Sequence, residues 1–155
     1  MPPSSGVLST EWKEFLELLN KKGAHYLIIG AVALALHGCP RMTGDLDILI
    51  EASSENAKKV IEALREFGFS DLSLKEEDLL EPGYVIQIGF PPNRIDLHTS
   101  APLPFEELFR ERIEIEIEGI KLSLVSREHL IKIKEKVGRV QDLADVRCLK
   151  RRKTK

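Results

Sequence analysis

Hydrophobic and polar residues follow two different periods along this chain, and each period predicts a different element. The helical period is clearest over residues 10–22, where Trp12, Phe15, Leu16 and Leu19 are separated by Glu and Lys. Further helices are predicted at residues 31–37, after a cap at Ser53 or Ser54, and from Ser126 to near Leu149 with a break at Gly138.

Short apolar runs and a period of two predict the strands. Residues 26–29 form an apolar run that ends at Gly30, and residues 45–51 alternate apolar with acidic side chains apart from Leu49. Further strands are predicted near residues 84–90, 94–98, 112–118 and 120–124, with a loop-rich stretch at 71–83. Because strands and helices are interleaved, we predict an α+β fold (of α/β type) with a single mixed β-sheet flanked by helices.

Length and composition indicate a globular protein with one core. A chain of 155 residues favours a single domain, here predicted over residues 1–149 with a basic tail at 150–155. With 43% apolar and 31% charged residues and a net charge of −2, a disordered chain is excluded. Five of the 23 basic residues lie in the last six positions, so the remainder is acidic and a poor general binder of nucleic acid.

The two cysteines and the apolar runs bear on the compartment. Cys39 and Cys148 lack metal-type spacing, which argues against a disulfide scaffold and a zinc site and predicts buried thiols in a reducing environment. No apolar run reaches membrane-spanning length, and the first residues lack the pattern of a signal peptide. We therefore expect a cytoplasmic protein that does not act at a membrane.

Paired acids mark the most informative segment. Side chains two apart on a strand share a face, so Asp45 and Asp47 project together, roughly 6–7 Å apart along the chain. Two adjacent anions repel, and a cation between them resolves the conflict; oxygen ligands suit Mg²⁺. Alternatively, one Asp pairs with Arg41 and the other caps a turn after Gly44.

Two further features favour an ion and phosphate site. Gly30 lies where a strand passes into a helix, whose free N–H groups can hold phosphate oxygens. Alternatively, the glycine only marks the boundary between the strand and the helix. Asp96 lies in a second apolar strand and would complete a cluster of three carboxylates if that strand lay beside the first. Its structural alternative is an ion pair with Arg94 or Arg41.

Other kinds of site find little support. The four histidines (His25, His37, His98 and His129) share no metal-binding spacing, and no local Ser/His/Asp or Cys/His set can be assembled. His37 follows an apolar helix, which favours a hydrogen-bonded residue at the helix end. The absence of a Gly-x-x-x-x-Gly-Lys run argues against a P-loop NTPase.

Three blocks of the sequence form a recognisable set. The first block runs from Tyr26 to Ile50 and includes Arg-Met-Thr-Gly-Asp-Leu-Asp-Ile. The second is Ile95-Asp-Leu97, and the third is the Lys-then-Arg-x-x-Asp-x-x-Asp pattern within residues 130–146. Together these blocks resemble the nucleotidyltransferases of the DNA polymerase β-like superfamily, and most of all the small AbiEii-type proteins of abortive-infection systems.

The resemblance implies a role for each matching residue. Asp45, Asp47 and Asp96 would hold Mg²⁺ (or Mn²⁺), and Asp96 would take the proton of the acceptor hydroxyl. The nucleotide would be bound by residues of all three blocks: Gly30, Ala31, Arg41, Thr43, Lys134, Arg139, Asp142 and Asp145. Ala31 stands where the family usually has Gly or Ser, and a methyl group cannot bind phosphate, so phosphate would rest on backbone N–H groups.

Two functions from different classes follow. The first is an Mg²⁺-dependent transfer of a nucleoside monophosphate from a nucleoside triphosphate to an acceptor hydroxyl on a small molecule, an RNA end or a protein, with release of pyrophosphate. The second is a catalytically weak nucleotide-binding or regulatory module, such as one component of a toxin–antitoxin pair; a homodimer or an antitoxin partner stays open. A phosphohydrolase that uses the same acids is a third alternative, and it would need no acceptor.

Overall fold

The computed structural model describes residues 6–40, 43–69 and 73–151, and in these ranges the chain forms one six-stranded sheet and six α-helices. The helices are α1 (Thr10–Lys22), α2 (Gly30–Leu36), α3 (Ser54–Phe67), α4 (Phe105–Arg110), α5 (Arg127–Val137) and α6 (Val140–Arg151). The strands are β1 (Tyr26–Ile29), β2 (Asp45–Ile50), β3 (Val85–Ile88), β4 (Arg94–His98), β5 (Ile113–Ile117) and β6 (Ile120–Leu124). The predicted α+β fold with a single mixed sheet flanked by helices is confirmed.

The order of strands across the sheet is β3-β4-β2-β1-β6-β5. Two neighbouring pairs are parallel, β2 with β4 and β1 with β6, and the other three are antiparallel. Strand β2 therefore lies inside the sheet, between β1 and β4. This position explains why its second half is fully apolar and buried, while its acidic half lies at the strand's beginning.

Helix α1 shows how the sequence pattern becomes packing. Its apolar stripe is buried in the core, and the helix packs against α3. The Ser9 hydroxyl accepts a hydrogen bond from the Trp12 amide and caps the helix, and Ser53 and Ser126 cap α3 and α5 in the same way, as the sequence predicts. The Trp12 indole N–H donates to the Arg94 carbonyl at 3.2 Å, which joins α1 to the beginning of β4.

Two short elements depart from the prediction. Helix α4 has only six residues, too few for a helical period to stand out, and it follows Pro104, whose ring suits the start of a helix. A 3₁₀ helix occupies Glu76–Leu80 inside the predicted loop and buries Leu79. Both elements are held by tertiary packing of one or two apolar side chains rather than by a repeating pattern.

The cysteine prediction is wrong. Cys39 and Cys148 form a disulfide with their Cα atoms 6.1 Å apart, because the fold brings α6 against the segment that follows α2. The two residues are 109 positions apart, and such a separation contains no spacing signal. The inference of a reducing compartment depended on unpaired thiols and loses that basis.

The described helices are short, and the longest, α3, has 14 residues. None of those in the described ranges combines the length and the apolar character that crossing a bilayer would require. Helix α6 continues to Arg151, so the predicted tail begins within a helix, and residues 152–155 lie outside the described ranges.

Candidate metal and nucleotide site

The pairing of β2 with β4 brings the three predicted acids to one place. The strands are parallel, with Asp45 opposite Arg94 and Asp47 opposite Asp96. Because side chains alternate between the faces of a sheet, these four residues project from the same face. The condition set by the sequence, that the Asp96 strand lie beside the Asp45–Asp47 strand, is therefore met.

Arg94 binds two of the three carboxylates. Its Nη2 donates to Oδ2 of Asp45 and to Oδ2 of Asp96, each at 3.1 Å, and its Nε lies 3.1 Å from Oδ1 of Asp96. The hydrogen bond with Asp96 raises the pKa of Arg94, so the guanidinium stays charged. The structural alternative considered from the sequence, an ion pair between Asp96 and Arg94, is thus present, and Asp45 shares it.

Asp96 is the most buried of the three acids, with 5% of its surface exposed. Burial raises the pKa of Asp96; the hydrogen bond from Arg94 acts in the opposite direction, and the charges of Asp47 and Asp45 raise it again. Its Oδ1 is buried and accepts no hydrogen bond. The Arg94 Nε lies 3.1 Å from this oxygen as an ion pair, and a carboxylate oxygen has further lone pairs that a cation can use.

Asp45 is held from its own strand as well as from Arg94. The Thr43 hydroxyl lies 3.2 Å from Oδ1 of Asp45 and 3.0 Å from its carbonyl oxygen, and it donates to these acceptors. Thr43, predicted to bind the nucleotide, therefore contacts an acid directly. Arg41, also predicted to bind the nucleotide, lies outside the described residues.

Asp47 lies against Gly30, and this contact explains the glycine. A Cβ at position 30 would lie 2.4 Å from Oδ2 of Asp47, well inside van der Waals contact. Gly30 also has φ +72°, in the left-handed region that favours glycine. The residue that the sequence placed at a strand-to-helix turn thus makes room for a carboxylate.

His98 is a site residue that the sequence analysis missed. Its Nε2 donates to Oδ1 of Asp47 at 2.9 Å, since a carboxylate only accepts. Among the described residues, Asp47, Asp96 and His98 form a group whose ligand atoms all lie within 4.8 Å of one another. The alternation of side chains along β4 could have identified His98, because residues 94, 96 and 98 lie on one face of the strand. The spacing between the four histidines contains no such information.

Most of the predicted nucleotide residues line one cleft of about 400 Å³. Its walls contain Gly30, Ala31, Thr43, Gly44, Asp45, Asp47, Lys134, Arg139 and Gln141. Two clefts of similar size, about 320 and 430 Å³, lie elsewhere and contain none of these residues. Its chemistry rather than its size distinguishes the first cleft, because carboxylates on β2 face cations from α5 and from the turn before α6.

Asp142 and Asp145 form ion pairs with the two positively charged side chains of this cleft, Lys134 and Arg139. Lys134 Nζ lies 3.0 Å from Oδ2 of Asp145 and 3.4 Å from Oδ1 of Asp142, and all three side chains are buried. Arg139, whose side chain is 70% exposed, lies 2.7 Å from Oδ2 of Asp142 through Nε. That hydrogen bond lowers the pKa of Asp142 and raises the pKa of Arg139, so both remain charged.

The chemistry of the donor set fits a divalent cation. Three carboxylates and an imidazole converge on one face, a buried Asp96 oxygen accepts no hydrogen bond, and the glycine opposite Asp47 leaves its carboxylate in place. The guanidinium of Arg94 balances part of the negative charge between Asp45 and Asp96.

Outside the site, His37 agrees with its predicted structural role. It ends α2 as the cap residue, and its Nε2 donates to the Val125 carbonyl at 2.8 Å. Burial lowers the pKa of His37, so the neutral ring is favoured.

Solved structures that are similar to this chain over nearly its whole length include the following two. A candidate nucleotidyltransferase from Thermotoga maritima has a TM-score of 0.59 and 18% identity, covering 91% of this chain and 91% of its own. An antigenic nucleotidyltransferase-like protein from Paracoccidioides brasiliensis has a TM-score of 0.55 and 16% identity, covering 92% of this chain and 77% of its own. No protein-family model matches the sequence, and neither does any curated protein. The fold of this chain is therefore the one these nucleotidyltransferase-like structures share.

Proposed function

We propose that this protein transfers a nucleoside monophosphate from a nucleoside triphosphate to an acceptor hydroxyl and releases pyrophosphate. The observation that carries the proposal is the placement of Asp45, Asp47 and Asp96 on one face of two paired strands, beside a cleft that also contains Lys134 and Arg139. The shared fold with nucleotidyltransferase-like structures supports it. The AbiEii-type likeness and a single domain over residues 1–149 remain parts of the same proposal.

The carboxylates would hold a divalent cation, Mg²⁺ or Mn²⁺. When bound, such a cation offsets the charge that develops on the phosphoryl oxygens during transfer. Thr43 and Arg94 fix the orientation of Asp45, and Gly30 leaves room for Asp47, which is bound by His98.

The remaining groups act on the nucleotide and the acceptor. Lys134 and Arg139 bind the triphosphate, and their ion pairs with Asp142 and Asp145 hold the two side chains at the cleft. Gly30 and Ala31 line the same cleft, where Ala31 adds no hydroxyl. Asp96 accepts the proton of the acceptor hydroxyl.

The test is incubation with each of the four α-labelled nucleoside triphosphates and Mg²⁺ or Mn²⁺, with RNA, the protein itself and small polyols as acceptors. We expect pyrophosphate release coupled to labelled acceptor, and a loss of at least ~100-fold in Asp47→Asn. Glu116→Gln, on the exposed edge strand β5, is the matched control. Release of orthophosphate or of a nucleoside monophosphate without an acceptor would show that the protein hydrolyses the triphosphate instead of transferring from it.

A specific observation favours the second function, a nucleotide-binding or regulatory module. The Arg94 guanidinium already binds Asp45 and Asp96, the oxygens that a cation would need. In such a module, one component of a toxin–antitoxin pair for example, nucleotide binds without turnover. Equilibrium binding of a labelled triphosphate together with no pyrophosphate release under every condition above would establish it.

A further inference from the structure

The acids at this site do not have equivalent surroundings. Asp45 is held by the Arg94 guanidinium and by the Thr43 hydroxyl, so its oxygens already have partners. Asp47 and Asp96 lie directly opposite each other in register, so two like charges are paired across the two strands. Arg94 also binds Asp96, so Asp47 is the acid of the three that forms no ion pair with Arg94 within the described residues.

His98 adds a nitrogen to that pair. It is the next residue after Asp96 on the same face of β4, and its Nε2 lies 2.9 Å from Oδ1 of Asp47. In its other tautomer, Nε2 presents a lone pair instead of a proton in the same direction. The ring is partly buried, with 26% of the side chain exposed, so it is held in place while a cation can still reach it.

We propose that Asp47, Asp96 and His98 form the first cation site of this protein, and that the imidazole ligand makes the site prefer Mn²⁺ and similar transition ions over Mg²⁺. Imidazole nitrogen suits transition ions, whereas Mg²⁺ prefers oxygen ligands and keeps much of its water. The role of the ion in transfer rests on the proposed function, but its binding is measured without a nucleotide. Asp45 lies outside this set of three, whose ligand atoms all lie within 4.8 Å of one another.

A buried oxygen supports a ligand at this position. Asp96 is buried, and its Oδ1 accepts no hydrogen bond within the described chain; the Arg94 Nε lies 3.1 Å from it as an ion pair. Asp47 in turn is held by its hydrogen bond with His98, and Gly30 leaves room for its Oδ2, with which any side chain at position 30 would collide. Two carboxylates fixed by their surroundings and one imidazole give three protein ligands in a small volume.

The test uses the full chain freed of metal. Mn²⁺ affinity is measured from the EPR signal of the free ion, Mg²⁺ affinity by competition, and nitrogen coupling to bound Mn²⁺ by pulsed EPR. We expect Mn²⁺ to bind at least ~10-fold more tightly than Mg²⁺ and to show a coupling from one imidazole nitrogen. The coupling is observed on the unmodified protein, so this arm does not depend on whether a variant folds.

The variant His98→Asn removes the ring nitrogen and keeps a polar side chain. We expect it to lose Mn²⁺ affinity by about 10–100-fold, to change Mg²⁺ affinity by less than about 3-fold and to lose the nitrogen coupling. His25→Asn, at a half-exposed histidine beside Glu51, is the matched control and keeps all three values.

Two results would overturn the proposal. One is an unmodified protein whose bound Mn²⁺ shows no nitrogen coupling. The other is an equal loss of Mn²⁺ and Mg²⁺ affinity in His98→Asn, which would indicate that the histidine only positions the carboxylates. The transfer assay separates this failure from that of the proposed function. Coupled Mn²⁺ without pyrophosphate release retains the site and rejects the enzyme, and pyrophosphate release without coupling does the reverse.

Discussion

At the scale of single residues, the site is built from contacts that each constrain a neighbour. Gly30 leaves room for Asp47, Thr43 and Arg94 hold Asp45, and His98 binds Asp47. The ionised form of Asp96 is the least favoured of these groups, because Asp96 is buried and lies beside two other carboxylates, which raises its pKa. Such an arrangement is typical of a site that binds a cation, because the cation relieves a repulsion that the fold alone tolerates.

The contact between Gly30 and Asp47 gives the first prediction. In Gly30→Ala the new Cβ displaces the Asp47 carboxylate, so we expect transfer activity and Mn²⁺ affinity to fall at least ~10-fold, with about 1 kcal/mol or more lost from the free energy of unfolding. Gly83→Ala is the matched control: it has φ +77° and open space around it. It should lose a similar stability and keep Mn²⁺ affinity. Equal losses of affinity in both variants would contradict the contact.

The burial of Asp96 gives the second prediction. Because burial raises the pKa of Asp96 in the folded protein, its ionised form weakens the metal-free fold, and Asp96→Asn should raise Tm at pH 7. The gain should shrink as the pH falls through the raised pKa, since the wild-type carboxyl then becomes neutral as well. Thermal unfolding of both metal-free proteins between pH 7 and pH 4 measures this. A lower Tm for Asp96→Asn at pH 7 would show that the Arg94 ion pair outweighs the burial.

At the scale of elements, buried charges join α5 to α6, and a disulfide joins α6 to the segment that follows α2. Lys134 on α5 is held by Asp142 and Asp145 on α6, and Cys148 on α6 is bonded to Cys39 after α2. The helix pair is thereby fixed against the cleft, which suits elements that present Lys134 and Arg139 to a nucleotide.

The buried network gives the third prediction. Asp142→Ala leaves Lys134 with only part of its counter-charge in a buried position, so we expect a loss of about 3 kcal/mol in urea unfolding at pH 7. Because the pKa of Asp142 is lowered in the fold, its stabilisation is full above the unfolded value of about 4 and is lost as the pH falls through the lowered pKa. Arg139→Ala, at an exposed side chain, should cost less than about 1 kcal/mol. Similar losses in the two variants would contradict the buried role.

The disulfide gives the fourth prediction. It closes a loop of 109 residues, so replacing both cysteines by serine should lower the free energy of unfolding by about 2–5 kcal/mol. Urea unfolding of the oxidised protein, the reduced protein and the double variant measures it. The reduced protein and the double variant should agree, and three coincident curves would show that the bond contributes nothing.

At the scale of the whole molecule, the sequence predicts most of the fold because local patterns determine it. The period of α1, the alternation in β2 and the caps at Ser53 and Ser126 are encoded by neighbouring residues, and each appears as expected. The pairing of β2 with β4 was a condition rather than a prediction, since register between distant strands depends on the assembled sheet. The Cys39–Cys148 bond and His98 were missed for the same reason: their partners lie far away along the chain.

The arrangement of charges bears on the choice between the proposed active site and a purely structural ion pair. Within the described residues, Arg94 forms ion pairs with Asp45 and Asp96 but none with Asp47, while Lys134 and Arg139 line the same cleft as Asp47. The opposition of Asp47 and Asp96, together with these two positively charged side chains in the cleft, suits a bound metal ion beside a bound polyphosphate.

The most direct measurement is a crystal structure of the protein with Mn²⁺ and a non-hydrolysable nucleoside triphosphate, with the ion located by its anomalous scattering. We expect an Mn²⁺ peak bound by Asp47, Asp96 and His98, with the triphosphate against Lys134 and Arg139. A nucleotide bound in another cleft, or no peak while Arg94 stays on Asp45 and Asp96 with nucleotide present, would contradict the proposed site.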